Sequence, residues 1–244
     1  MKWAMRSERQ ENFMMNSKKV ILFLVEGFSD KMALEHIMEV LTGEQKVIFT
    51  VMNGDITSNR TTRIENVVRK VGEEVKACIT RYKLHKMDIM QIIHIVDADG
   101  AFIPQRYIRQ GEESGFYYTE KEIIVKNKKA AEERNKKKSE ILEKLIATGK
   151  IYGLPYSIFY MSCNLDHVLY NIQNLTKDQK VEYADAFYEK YLGHEERFRT
   201  FIEDDGIAPQ GAYKETWEFL QSDLNSLKRY SNLHLFLNIL VKNV

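Results

Sequence analysis

Two aliphatic runs set the pattern of this chain, Val20-Ile21-Leu22-Phe23-Leu24 and Ile92-Ile93-His94-Ile95, and each leads straight into acidic residues. Neither run alternates with polar positions. An unbroken apolar strand is one covered on both faces, which is the habit of a parallel sheet between helices. Between the two runs, Asp30 opens a helix predicted over about 30–42, with Met32, Ala33, Ile37 and Leu41 facing inward and Thr42-Gly43 closing it. Lys46 to Met52 reads as a second strand, and Asn53-Gly54-Asp55 turns it into a polar loop with Thr57, Ser58 and Asn59 as candidate caps. The next helix is predicted over about 60–83, where Ile64, Val67, Val68, Val71, Val75 and Ile79 recur at three- and four-residue spacing. A third strand at about 89–96 follows, and the alternation of strands and helices favours right-handed parallel connections.

Beyond Gly100 the periodicity loosens. Pro104 and Gly111-Glu112-Glu113-Ser114-Gly115 mark a surface excursion, and Lys126 to Lys144 holds eight Lys/Arg and four Glu, with Ile141, Leu142 and Leu145 near its end. This charged insertion, about 112–150, is expected to be a solvated helix. A second reading has Lys128, Lys129, Lys136, Lys137 and Lys138 following a nucleic-acid backbone. Tyr156 to Met161 reads as a fourth strand leading to Asn164-Leu165-Asp166-His167, after which the chain reads as helical: His167 to Ile172, Lys177 to Leu192, Glu195 to Ile202, Tyr213 to Leu224 and Leu227 to Val241. The expected organisation is a flexible N-terminal tail over 1–17, an α/β domain over 18–165 and a helical C-terminal subdomain over 166–244, the last helix docking on the sheet.

Composition, 44% hydrophobic and 29% charged, is that of a globular chain, and no apolar stretch reaches the roughly 18 to 20 residues that cross a bilayer. The first sixteen residues lack a signal-peptide core, and Met14-Met15 offers a second start. Cys78 and Cys163 belong to no ligand pattern and read as core residues in a reducing, cytoplasmic setting. Net charge is +1, but residues 1–150 carry 27 Lys/Arg against 22 Asp/Glu and residues 151–244 carry 9 against 13. The mildly basic first part suits an anionic polymer as well as it suits ordinary variation.

Parallel strands gather chemistry beyond their carboxyl ends, so Glu26, Asp97 and Asp99 are expected to meet in one crevice. Three carboxylates repel unless a cation neutralises them, and hard oxygen donors suit Mg²⁺ or Mn²⁺. Such a centre acts on phosphates. The ordered pair of signatures, Glu26-Gly27 after the first strand and Asp97-x-Asp99-Gly100 after a later one, resembles the Toprim domain shared by topoisomerases, bacterial primases, small maturation ribonucleases and OLD-family nucleases. The resemblance spans about residues 18–165. It implies a Rossmann-like α/β fold, a mainly parallel sheet flanked by helices with a helical C-terminal extension, and a metal-dependent nuclease acting on DNA or RNA. In that reading Asp97 and Asp99 hold metal, and Glu26 is a ligand or a general acid/base. Asp30 is similar to the second acidic residue of the OLD-type first motif, with helix capping as the alternative, and Asp166 to a further acidic position where a second metal sits in several Toprim nucleases.

Other polar residues carry plainer expectations. His167 is a phosphate contact or proton shuttle on one reading and a surface or capping residue on the other; His94 reads as a core histidine with a satisfied hydrogen bond. Arg60, Arg63, Arg106 and Arg109 fall within reach of the crevice by chain order. Gly27 and Gly100 are expected to let the backbone turn beside a phosphate.

Departures from the wider family narrow the expectation. There is no primase-type zinc motif and no Tyr in a strand-cleaving pattern, and the chain is small for a complete topoisomerase. It also lacks the Walker motif of OLD-type proteins, so nucleotide-driven control would come from a separate ATPase, as in the stand-alone Toprim nucleases of bacterial anti-phage defence that the layout resembles. Expected partners are nucleic acid, such an ATPase and, as a homodimer, a second copy, with no membrane. Two rivals stay open. Asp97-Ala98-Asp99-Gly100 also resembles the opening motif of haloacid-dehalogenase phosphatases, where Asp97 would be a covalent nucleophile and Glu26 incidental, although Ala101 replaces that motif's hydroxyl residue. The other is a non-catalytic Toprim module that binds nucleic acid or a partner.

Overall fold

A computed structural model of the chain describes residues 19–52 and 54–242. The expected tail over 1–17 and Asn53 of the expected turn lie outside those residues. In chain order, β1 (Val20–Val25), α1 (Phe28–Leu41), β2 (Lys46–Val51), α2 (Val67–Arg81) and β3 (Ile89–Asp97) come first. An excursion follows through β4 (Ile108–Gln110), β5 (Phe116–Tyr118), β6 (Ile123–Val125) and α3 (Lys128–Ile146). The chain returns through β7 (Lys150–Ile151) and β8 (Leu154–Met161) and ends in α4 (Leu165–Tyr170), α5 (Lys177–Tyr191), α6 (Glu195–Ile202), α7 (Tyr213–Gln221) and α8 (His234–Lys242).

The fold is α/β, with a central sheet in the order β2-β1-β3-β8-β7, parallel except for β7. Side chains alternate across β1 and sort into two cores. Ile21, Phe23 and Val25 pack with Ala33, Leu34 and Ile37 of α1, whereas Leu22 and Leu24 pack with Val67, Val71 and Val75 of α2. Because α1 and α2 cross on opposite faces, the winding reverses between β1 and β3, and a crevice opens there beyond the strand ends. Phe187, Phe198, Ile202 and Phe236 of the C-terminal helices share the first core with β1 and α1, and Trp217 and Leu220 of α7 share the second. The segment after residue 165 therefore completes both covering layers. Among the described residues no helix is long and apolar enough to cross a membrane.

Local differences have local causes. α2 starts at Val67 rather than near 60, and Ile64 is exposed, because Asp55, Asn59 and Asn66 accept backbone N–H bonds from Thr57, Thr61 and Arg63 and hold 55–66 in turns. The excursion carries a three-stranded sheet, β4-β6-β5, built from strands of three residues each, too short to show alternation in sequence. Residues 227–232, expected within a helix, instead run with 225–226 beside the end of β8, where Ser226 O accepts from both Cys163 N and Gly100 N. Cys78 and Cys163 are free and buried.

His94 sits in the sheet interior, its Nδ1 bonded to the Tyr156 hydroxyl at 2.7 Å and its Nε2 without a partner. Burial pulls its pKa down to about 3. Unfolded, it titrates near 6.5, so the unfolded chain takes up a proton first and stability falls as pH drops from about 6.5 towards 3. Replacing His94 with Gln should flatten thermal-melt Tm against pH over that window relative to wild type, by an amount equivalent to roughly 3 to 5 kcal/mol across it. Parallel curves would mean that His94 is not the titrating group.

Candidate functional site

Every parallel strand ends at the same edge of the sheet, and every one delivers an acid there or just beyond: Glu26 after β1, Asp55 after β2, Asp97 and Asp99 from β3, Asp166 after β8. Asp30 joins from the first turn of α1. Its Oδ2 accepts the Gly27 N–H at 2.8 Å, so it caps the helix, and it is also buried against Asp166 and Lys180. The site has two lobes. Glu26, Asp55, Asp97 and Asp99 surround Lys138, Asp30 and Asp166 surround Lys180, and Asp97 interacts with both groups.

Lys138 is the centre of the first lobe. Its side chain is 0% exposed, with Nζ 2.5 Å from Asp99 Oδ2 and 3.0 Å from Asp55 Oδ2. Burial alone would lower its pKa, but Asp99, Asp55 and Glu26 outweigh that and hold it above its ordinary value. Arg134, one turn earlier on α3, donates to the same Asp99 oxygen at 2.7 Å and to the Asp99 carbonyl at 2.9 Å. Asp55 gains further donors from Thr57 and Ser58; burial would raise its carboxyl, yet Lys138 and these donors leave it well below the usual range. In the second lobe Lys180 Nζ lies 2.6 Å from Asp166 Oδ2.

The remaining acids are under-compensated. Burial first, then Asp55, raises Glu26 well above its ordinary pKa, and its Oε1 is buried with no hydrogen-bond partner. Burial followed by Asp99 and Asp30 does the same to Asp97, although Oδ1 accepts the Leu165 N–H at 2.8 Å. Asp166 Oδ1 is likewise buried and unpartnered. Among the described residues, then, six carboxylates meet three cations, Lys138, Arg134 and Lys180.

The backbone is shaped for this arrangement. Asp99 takes a left-handed conformation at φ 50°, anchored by its N–H to Cys163 O at 2.6 Å. Gly100 follows at φ 65°, where a Cβ would stand 2.6 Å from Leu227 Cδ2 and 2.8 Å from Ile123 Cδ1. Gly100 is therefore required both by the sharp turn expected of it and by its packing under Leu227 and Ile123.

The sequence-derived acids Glu26, Asp30, Asp97, Asp99 and Asp166 are thus brought together. Among the described residues, however, no three Asp, Glu, His or Cys side chains converge as a metal cradle, since Asp99 and Asp166 each turn an oxygen towards an ammonium group. The donor set itself fits a hard divalent ion: all oxygen, net negative, with two buried orphan oxygens. Lys138 is a correction. It is an internal counter-ion and not part of a phosphate-tracking face; Lys129 and Lys136 are exposed, Lys128 pairs with Glu132 at 3.9 Å, and Lys137 donates to Asn59 O at 2.7 Å. His167 is buried rather than superficial, 3.6 Å from Glu120, with Nδ1 unpartnered. Arg109 pairs with Glu122 and Arg106 lies over Tyr107.

Asp55, Arg134 and Lys180 are not identified from the sequence, nor is Lys138 in this role. A signal existed for Lys138: Ala131, Asn135, Lys138, Leu142 and Leu145 form one helical stripe, and all five are buried. Comparison with family models, with curated proteins and with solved structures finds no match to this chain.

Lys138→Met leaves Asp55 without its buried ammonium partner and Asp99 with Arg134 alone, and should cost about 3 to 5 kcal/mol in denaturant unfolding at neutral pH. The double variant Lys138→Met/Asp99→Asn should lose less than the sum of the single changes. Additive losses would show that the ion pair contributes no coupling.

Proposed function

We propose that the chain is a metal-dependent nuclease of Toprim type, hydrolysing phosphodiester bonds in DNA or RNA at the acidic site. The observation that carries this reading is the charge imbalance: buried carboxylates from four adjacent strand ends exceed their cations, and Glu26 and Asp166 each keep an unpartnered oxygen. Structural ion-pair networks neutralise themselves, whereas a site built to receive a cation and an anionic ester leaves charge in reserve. Glu26, Asp97 and Asp99 would hold a Mg²⁺ or Mn²⁺ ion, with Asp30 and Asp166 holding a second. Such an ion activates water and offsets charge on the phosphoryl oxygens.

The protein residues set the rest. The Leu165 N–H fixes one oxygen of Asp97, and Arg134 with Lys138 fixes Asp99, so both carboxylates are pre-oriented. Glu26, whose Oε1 has no competing partner, would serve as a ligand or, in its place, hold or pass a proton. An anti-phage role beside a separate ATPase, acting in the cytoplasm, belongs to the same proposal and rests on the resemblance alone.

Cleavage of plasmid DNA, single-stranded DNA and total tRNA with Mg²⁺, Mn²⁺ or EDTA tests this. Metal-dependent cleavage is expected, reduced on the order of a hundredfold or more in Glu26→Gln and in Asp97→Asn. Cleavage indifferent to Glu26, or no cleavage with either metal, would overturn it. In a separate readout, Asp97→Asn should raise the metal-free Tm, because it removes a disfavoured buried charge while retaining the acceptor for Leu165 N–H. The same variant should abolish the Tm increase that Mn²⁺ produces in wild type.

A further inference from the structure

Next to the acids, on the side of the excursion, lies an open cleft of about 590 Å³ between the loop after β2, the strand β5 and the first half of α3. It is lined by Arg60, Lys126, Arg134 and Lys137, against a single acid, Glu133. Two lining residues also belong to the acidic site: Arg134 grips Asp99, and the Ser58 N–H donates to Asp55. The cleft and the carboxylates therefore adjoin.

Two features separate this cleft from a plain basic surface. The first is an excess of positive charge beyond the Arg134–Asp99 pair. Lys137 is held below its ordinary pKa, chiefly by partial burial and then by Lys70 and Arg63, so cations crowd one another on this side. The second is an aromatic wall. Phe116 lines the cleft, remains 37% exposed, stacks along Tyr118 at 6.1 Å and lies beneath the Arg134 guanidinium at 4.6 Å. Its neighbour Tyr117, 41% exposed, points to the other face of the small sheet and is not part of the lining.

We propose that this cleft binds single-stranded nucleic acid, with a base stacked on Phe116 and the backbone phosphates held by Arg60, Lys126 and Lys137, leading the strand to the carboxylates. This specifies a substrate class for the nuclease reading and rests on it for the function of the cleft, though not for the binding itself. A duplex keeps its bases stacked inside and offers no ring face to Phe116; an unpaired strand offers both faces and its phosphates together. Arg134, already committed to Asp99, joins the cleft to the acidic site.

Binding is measured by fluorescence anisotropy in EDTA, where no cleavage occurs, using labelled oligothymidylate and oligouridylate of about twelve nucleotides and a mixed-sequence duplex of equal length. The single strands should bind more tightly than the duplex, with the DNA and RNA arms showing which sugar is preferred. Phe116→Ala should weaken single-strand binding roughly tenfold, Phe116→Leu should fail to restore it, and Tyr117→Ala should leave it unchanged. Arg60→Ala or Lys137→Ala should reduce the slope of log affinity against log salt by about 0.7 each. Equal duplex affinity, equal effects of the Phe116 and Tyr117 variants, or no binding would overturn the proposal. Specific single-strand binding without metal-dependent cleavage would uphold this inference while removing the nuclease reading. Cleavage confined to duplex would do the reverse.

Discussion

The mutual repulsion of carboxylates held at one edge of a sheet governs much of this molecule. Parallel strands deliver their next residues to a single crevice, and here they deliver Glu26, Asp55, Asp97, Asp99 and Asp166, with Asp30 alongside. At a few ångströms, in surroundings of reduced dielectric, such charges cost several kcal/mol per pair unless opposed. The fold opposes them partially and from two directions, with Lys138 from the excursion and Lys180 from the C-terminal helices.

That requirement makes elements distant in sequence indispensable to the same crevice. α3 is docked by an apolar stripe interrupted at its middle by an ammonium group, so the position of the helix is set jointly by Leu142 and Leu145 in the core and by Lys138 among the acids. The segment 225–232 fixes the Asp99-Gly100 turn from the other side, through Ser226 O and the Leu227 side chain. A change in the packing of either element moves the carboxylates.

Legibility in the sequence followed the strength of each local signal. β1 and β3 and the acids at their ends were readable because runs of four or five mostly aliphatic residues fit a strand buried on both faces, and α5 because the Thr176–Gln179 capping box stands just ahead of its buried stripe Ala184, Phe187 and Tyr191. Asp55 was hidden by its place in a turn, where the demands of the backbone alone account for Asn-Gly-Asp. Lys138 was hidden by its neighbours: among eight cations in nineteen residues, charge density drew the reading outward, although its spacing from Ile141, Leu142 and Leu145 pointed inward. The small sheet had no periodicity to find, and Phe116, its contribution to the cleft, looked like any aromatic in a loop.

The pairing of Lys138 with Asp55 joins residues 83 apart in the chain. All four acids of the first lobe precede Lys138 in order of synthesis, and β1, β2 and β3 with their two crossover helices form a compact unit of largely local connections. A chain emerging from its N-terminus can therefore assemble three strands, and the repulsion at their ends, before the neutralising lysine exists as part of the polypeptide. Nascent protein would pass through a stage in which the edge of its sheet is most acidic and least supported, relieved in the first lobe by the arrival of α3 and completed only when β8 and the C-terminal helices bring Lys180 and cover both layers.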